Sequence, residues 1–187
     1  MTSHSNHVRI PLMQVRMRSD KINAKILKAR YINIQPEFQR QFEAWDDKLI
    51  TRLIESILLN RAMNPIWSIL NPDKDSEDIL DGMHRLTTAL SFVNGDFKLK
   101  GKYFMELDNN KYDGKSFDEL EPDDIACIEN YNFDFNQLPS IYSTDANKRR
   151  DMYEILNRSS RTLNEYEFNK VLYKPFYDMI LRLKKNL

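Results

Sequence analysis

Apolar residues along the chain switch between two spacings, and the switches lay out its elements. From Asp46 onward, Leu49, Ile50, Leu53, Ile54, Ile57 and Leu58 recur every three to four positions, as in a helix with one buried stripe. Asp46 and Asp47 stand where negative charge meets the positive end of the helix dipole. Asn64-Pro65 breaks the pattern, and the apolar run Ile66 to Leu70 predicts a buried strand. Upstream, Tyr31 to Ile34 alternates as a strand does, and Pro36 closes it. Pro11 to Ala29 predicts a strand and then a short helix, and residues 1–10 a frayed end. Downstream, Asn71 to Asp78 is polar and reads as a loop. Ile79-Leu80 is a short strand ending at Asp81-Gly82, and Leu86 to Val93 is helical again. Asn94-Gly95-Asp96 signals a turn. Phe97 to Leu107 suggests a strand or hairpin, Phe117 to Ile128 a helix, and Asn130 to Phe135 a strand. Ala146 to Leu156 and Glu165 to Lys184 return to helical spacing. This mixed order predicts an α+β fold, a small mixed sheet with helices and a helical C-terminal segment. The organisation read from it is an N-terminal arm (1–30), a sheet-bearing domain (31–145) and a helical segment (146–187) completing the same domain.

Composition narrows the class. Of 187 residues, 41% are hydrophobic and 30% charged, which suits a water-soluble globule with a real core. Cys127 is the sole cysteine, so neither an intrachain disulfide nor a thiolate metal cluster is available. No His/Cys/carboxylate spacing marks a protein-only metal site. The start, Met1 to His7, is polar, and no stretch approaches the ~18 apolar residues of a spanning helix. A cytoplasmic protein without membrane contact is expected.

The 28 basic and 28 acidic residues cancel but are unevenly spread. Residues 1–30 hold seven Lys/Arg against one Asp, residues 106–134 ten Asp/Glu against two Lys, and residues 148–187 ten basic against five acidic. Basic ends suit a polyanion such as DNA. The other reading is a solvated surface, and the acidic middle would repel a duplex passing that side.

The candidate chemistry lies at Ile79-Leu80-Asp81-Gly82-Met83-His84-Arg85-Leu86, a strand, a glycine turn and a helix start. The first N–H groups of a helix lack intrahelical partners, and the macrodipole is positive there. Gly82 permits a close approach of backbone, Arg85 brings a planar fork matched to phosphate, and His84 a further donor. Together they describe an anion site whose usual occupant is phosphate. Each residue also has a plainer reading. Asp81 caps the helix, His84 packs, Met83 points inward, and Thr87 and Thr88 are ordinary helix surface. Glu55, on the polar side of its helix, reads as a solvated carboxylate, with positioning of a metal-bound water as the alternative. Trp45 reads as helix packing before base stacking.

The block Ile79 to Ala89 resembles the D-G-Q-Q-R-L-T-T motif of the N-terminal domain of GmrSD-type restriction systems. The likeness extends to Pro36-Glu37-Phe38-Gln39-Arg40, Trp45-Asp46, Leu53 to Leu58 and Asn64-Pro65-Ile66, and later to Tyr153 to Asn157 and Leu163 to Glu167. It covers roughly Tyr31 to Lys170. That family is similar to the wider ParB/sulfiredoxin fold, where a Gly-x-x-Arg turn at a helix start holds nucleotide phosphates. The resemblance therefore implies a ParB/sulfiredoxin-like sheet and binding of a nucleoside triphosphate with Mg²⁺, often with hydrolysis. It also implies control of a DNA-directed effector, such as a nuclease on a separate chain. It places Gly82, His84 and Arg85 on phosphate, Gln39 and Arg40 at a second phosphate or base contact, and Asn157 and Arg158 at a later nucleotide element. Asp81 and His84 are the catalytic candidates.

The departures are specific. Met83 and His84 stand where the family has two glutamines, so hydrolysis does not carry over. Met83 also stands where sulfiredoxin needs its cysteine, and a thioether cannot act as a thiolate nucleophile. No histidine follows His84, so an HNH nuclease is not expected in this chain. Two other readings stay open: a DNA-binding ParB-like module using the basic termini, and a catalytically inactive partner-binding domain.

Overall fold

A computed structural model of the chain describes residues 5–20, 28–36, 45–71, 73 and 75–160, with side chains as far as Leu156. Two compact units divide the chain, Met1–Ser143 and Thr144–Leu187. The first holds a five-stranded mixed sheet of β1 (Asn6–Pro11), β2 (Tyr31–Asn33), β3 (Ile66–Asn71), β4 (Ser76–Asp81) and β5 (Asn132–Leu138), in the order β1-β5-β3-β4-β2. β1 pairs antiparallel with β5 and β3 antiparallel with β4, whereas β3–β5 and β2–β4 are parallel. Among the described residues its helices are α1 (Leu12–Arg18), α2 (Asp47–Leu58), α3 (Met83–Val93), α4 (Asn109–Tyr112) and α5 (Pro122–Asn130). A single helical turn, α6 (Ile141–Thr144), precedes α7 (Ala146–Ser160), which starts with Asp145 Oδ1 accepting from the N–H groups of Asn147 and Lys148. The α+β class is the one expected.

One face of the sheet carries the core. Ile10, Ile32, Ile66, Ile79, Phe133 and Phe135 meet Leu12 and Val15 of α1, Leu53, Ile54 and Ile57 of α2, and Leu86, Ala89 and Phe92 of α3. Fully burying an aliphatic or aromatic side chain of this kind contributes roughly 1.5–3 kcal/mol. The expected helix from Asp46 is present, with Asp46 Oδ1 accepting from the Leu49 N–H at 2.8 Å. The opposite face of the sheet presents Ile69, Leu80 and Leu138, which are also buried.

Several expectations about the elements need correction. The N-terminus is not frayed over 1–10: β1 runs from Asn6, and Val8 and Ile10 sit opposite Phe135 and Phe133. It is a strand because a partner more than a hundred residues away supplies its ladder. Asn71 to Asp78 is not all loop, since β4 begins at Ser76. Its Glu77 is fully buried, which polarity argues against, but the carboxylate is matched by Arg18 Nη2 at 2.9 Å, Ser68 Oγ at 2.6 Å and Gln137 Nε2 at 3.0 Å. A charge paired and hydrogen-bonded on this scale can stay buried. Phe97 to Leu107 forms no strand; it is irregular around a 3-10 turn at Gly101–Tyr103. Phe117 to Ile128 is split, a 3-10 turn at Phe117–Glu119 preceding α5, because Pro122 suits the first turn of a helix but not its interior. The helix expected over Glu165 to Lys184 lies outside the described residues.

The irregular segment is held by side chains in place of a ladder. Glu55 on α2 is buried, and its Oε1 accepts from the N–H groups of Met105 and Glu106 at 2.8 Å and of Leu107 at 3.1 Å. It is therefore not a solvated carboxylate. Asp113 accepts from the Gly101 N–H at 2.7 Å, and Thr51 Oγ1 from the Lys100 N–H at 3.3 Å. Much of the acidic stretch has such work: Glu119 closes a capping box with Ser116 and binds Lys98, and Asp124 pairs with Lys111 at 2.7 Å.

Candidate functional site

The turn between β4 and α3 is built by three local features. β4 carries a register shift against β3 just before it: Ser68 faces Ile79 but Trp67 faces Asp81, leaving Leu80 as the extra residue of a bulge. Bulges re-aim the residues that follow them. Next, Gly82 takes φ +94° and ψ 7° as the residue preceding α3, a left-handed conformation that side chains rarely adopt. A Cβ there would also stand 2.4 Å from Ile66 Cδ1 and 3.0 Å from Arg85 Nη2. The space that the missing Cβ leaves is thus filled by the fold itself. Finally, α3 starts with no side-chain cap and no acidic residue in its first turn, unlike α2.

Arg85 is turned back onto the turn. Its Nη2 donates to Asp81 Oδ2 at 3.0 Å and to the Pro65 carbonyl at 3.2 Å, and its Nη1 donates to the Asn64 carbonyl. The guanidinium thereby ties α3 to the chain entering β3. Burial pulls its pKa below the ordinary arginine value, and the Asp81 carboxylate opposes that shift. Asp81 is 37% exposed against 15% for Arg85, so water screens the ion pair, and its worth lies nearer about 1 kcal/mol than a buried pair's. Asp81 serves Arg85 and not the helix as a cap.

Met83 is buried, as its apolar side chain suggested. His84 is half-buried, and its imidazole stacks on the Trp45 indole with ring centroids 5.6 Å apart and planes inclined by 13°. Trp45 immediately precedes the cap of α2, so this stack brings the start of α2 beside the start of α3. The first turn of α3 thus presents an uncapped end, an imidazole backed by an indole, and an arginine anchored from behind.

Gln39 and Arg40 lie outside the described residues. Asn157 and Arg158 lie on α7 in the second unit, and their side chains are likewise outside the description. The structure therefore brings together Asp81, Gly82, His84 and Arg85. Trp45 joins them; its likeness to the family placed it in order but carried no sign of its stacking on His84. Thr88, read as surface, is buried. Thr87 is half-buried and lines a cleft of about 500 Å³ between α3 and β2. Among the described residues, no three His, Cys, Asp or Glu side chains converge as a metal site. None of their helices is long and apolar enough to cross a membrane.

The family described as GmrSD restriction endonuclease, N-terminal domain, matches the chain over residues 23–174, which spans all of the turn and most of both units. No curated protein and no solved structure matches it.

Proposed function

Since the chain belongs to the family of GmrSD restriction endonuclease N-terminal domains, we propose that it binds a nucleoside triphosphate with the phosphates on the first turn of α3. The observation that carries this reading is the start of α3 at Gly82, which has no side-chain cap and no acidic residue within its first turn, while the adjoining Asp81 is paired with Arg85. Such an end favours negative charge by about 0.3–1 kcal/mol from the dipole alone, before any hydrogen bond is counted. His84 adds a donor at that end, with Trp45 holding the ring plane. Arg85 is a positioning residue in this reading: it fixes the turn by its two carbonyl contacts and Asp81, and offers the phosphates its positive field.

A Mg²⁺ ion would arrive on the triphosphate, whose own oxygens supply most of its ligands. The ion would neutralise phosphate charge, and the residues of the turn would orient the chain of phosphates. Hydrolysis does not follow from the site as built. Asp81 is held by Arg85, and an imidazole at position 84 cannot supply both the amide donor and the acceptor of a glutamine. The domain reads as a binding and signalling part that controls a DNA-directed effector.

One observation favours a second reading, a partner-binding domain with an inert turn: three of the arginine's donor contacts are already met within the fold. A thermal-shift series with the four common nucleoside triphosphates and Mg²⁺ separates the two. A ligand at about 100 times its Kd adds about 2.7 kcal/mol, or roughly 5–10 °C for a domain of this size. That shift is the expected result for the best nucleotide. No shift with any nucleotide at millimolar concentration leaves the inert reading.

A further inference from the structure

We infer that the open edge of β1 is a docking site for an extended segment of another polypeptide, which adds to the five-stranded sheet with an apolar residue beside Val8 and a carboxylate beside Arg9. The parity of the ladder fixes which backbone groups are on offer. The Leu12 N–H donates to the Tyr131 carbonyl at 2.8 Å, and the same register sets Ile10 opposite Phe133, Val8 opposite Phe135 and Asn6 opposite Gln137. In an antiparallel pair, residues that exchange hydrogen bonds alternate with residues whose N–H and C=O point away. His7 and Arg9 therefore turn their backbone groups to the outer side of β1. The Pro11 carbonyl does the same, and the N–H that proline lacks falls on that side too. The N–H groups of His7 and Arg9 find no partner among the described residues, and both residues are exposed. β1 keeps its register against β5 over six residues without a bulge, whereas the sheet's other edge, β2, is three residues long.

A row of unpaired N–H and C=O groups is a template for another strand. Side chains select which one. Val8 points to the core face and packs half-buried against it, so His7 and Arg9 point to the opposite face, where both meet Asp134. A strand laid along β1 sets its own side chains beside these, face for face. Arg9 Nε binds Asp134 Oδ1 at 3.1 Å, but its two terminal nitrogens make no hydrogen bond among the described residues, and the side chain is 66% exposed. The guanidinium thus offers its outer fork to a carboxylate on the added strand. Val8 offers an apolar neighbour on the other face. A second copy of this chain fits less well. Two β1 strands paired antiparallel about Val8 would set each His7 opposite the other copy's Arg9, which brings the fork no acid and puts like charges together when His7 is protonated. β5 and β3 lie between β1 and β4, so the edge is separate from the Gly82 turn and the inference does not rest on what binds there.

The test is amide hydrogen exchange of the full chain, read residue by residue by NMR. The probes are short blocked peptides in which valine alternates with glutamate or, for comparison, with lysine. In the free protein, the amides of His7 and Arg9 should exchange freely while those of Val8 and Ile10, bonded to β5, are protected. The glutamate peptide at about ten times its Kd should slow His7 and Arg9 by about tenfold and leave Val8 and Ile10 unchanged. It should bind wild type about fivefold tighter than the lysine peptide, and Arg9→Ala should remove or reverse that preference. Should Arg9→Ala not fold, the two peptides on wild type carry the test. Protection of His7 and Arg9 in the free protein at every concentration would show the edge already covered and overturn the inference. Protection that grows with protein concentration alone would assign the edge to a second copy and overturn it too. So would a glutamate peptide that leaves these amides unprotected at millimolar concentration, or equal affinity of wild type for both peptides.

Discussion

Gly82→Ala should cost about 3 kcal/mol or more, because two penalties fall on one atom. The backbone is left-handed at φ +94°, and the new Cβ meets Ile66 Cδ1 at 2.4 Å. A shift of the urea midpoint measures it, and a loss under about 1 kcal/mol would show that the turn relaxes freely. Arg85→Ala should cost about 2–3 kcal/mol, since it strands Asp81 and two carbonyls at Asn64 and Pro65. Arg85→Lys should recover less than half, because an ammonium cannot span three acceptors in one plane. Loss of nucleotide binding in Arg85→Ala is therefore informative only beside a measured stability. Glu55 supplies a pH signature. Burial pushes its pKa up, but the N–H groups of Glu106, Leu107 and Met105, with Arg61, more than offset this and leave it below 4.5. A depressed carboxylate stabilises the fold above its unfolded value and loses that contribution as pH falls through the folded one. Wild type should thus exceed Glu55→Gln in melting temperature at pH 6–7, with the gap closing below about pH 4.5. A gap independent of pH would assign the effect to packing.

Local elements were legible wherever local forces make them. The apolar stripe of α2 and its Asp46 cap are both contained in one short window, and Asp46→Ala should cost about 1 kcal/mol by urea melting. The strand–turn–helix at Asp81-Gly82 was equally legible, and so was the inward Met83. What the window could not contain is partnership across the chain. β1 exists through β5, and buried Glu77 in β4 through Arg18, Ser68 and Gln137. The segment after Asp96 has strand-like apolar residues, yet its backbone is met by Glu55, Thr51 and Asp113. At the site, the sequence marked Asp81, His84 and Arg85 as polar groups at a helix start. It did not reveal that Asp81 and Arg85 hold each other or that Trp45 lies on His84.

Across the first unit, the sheet order gives the turn its place. β3 and β4 are central, so the end of β4 emerges among α2, α3 and the chain entering β3, where Trp45, Arg85 and Asn64 converge. A phosphate held there would couple the starts of two helices. His84 sets a further expectation at this scale. If its ring donates to phosphate, affinity for a non-titrating triphosphate analogue should rise between pH 8 and 6, and His84→Gln should bind without that dependence. The same slope in both proteins would remove His84 from the contact.

The most direct measurement is an amide-resolved NMR titration of the full chain with nucleoside triphosphates and Mg²⁺. Binding as proposed shifts the amide signals of Gly82, Met83, His84 and Arg85 first and most, together with the Trp45 indole N–H. Saturable binding that leaves those signals in place, or no binding by any nucleotide at millimolar concentration, would contradict the account.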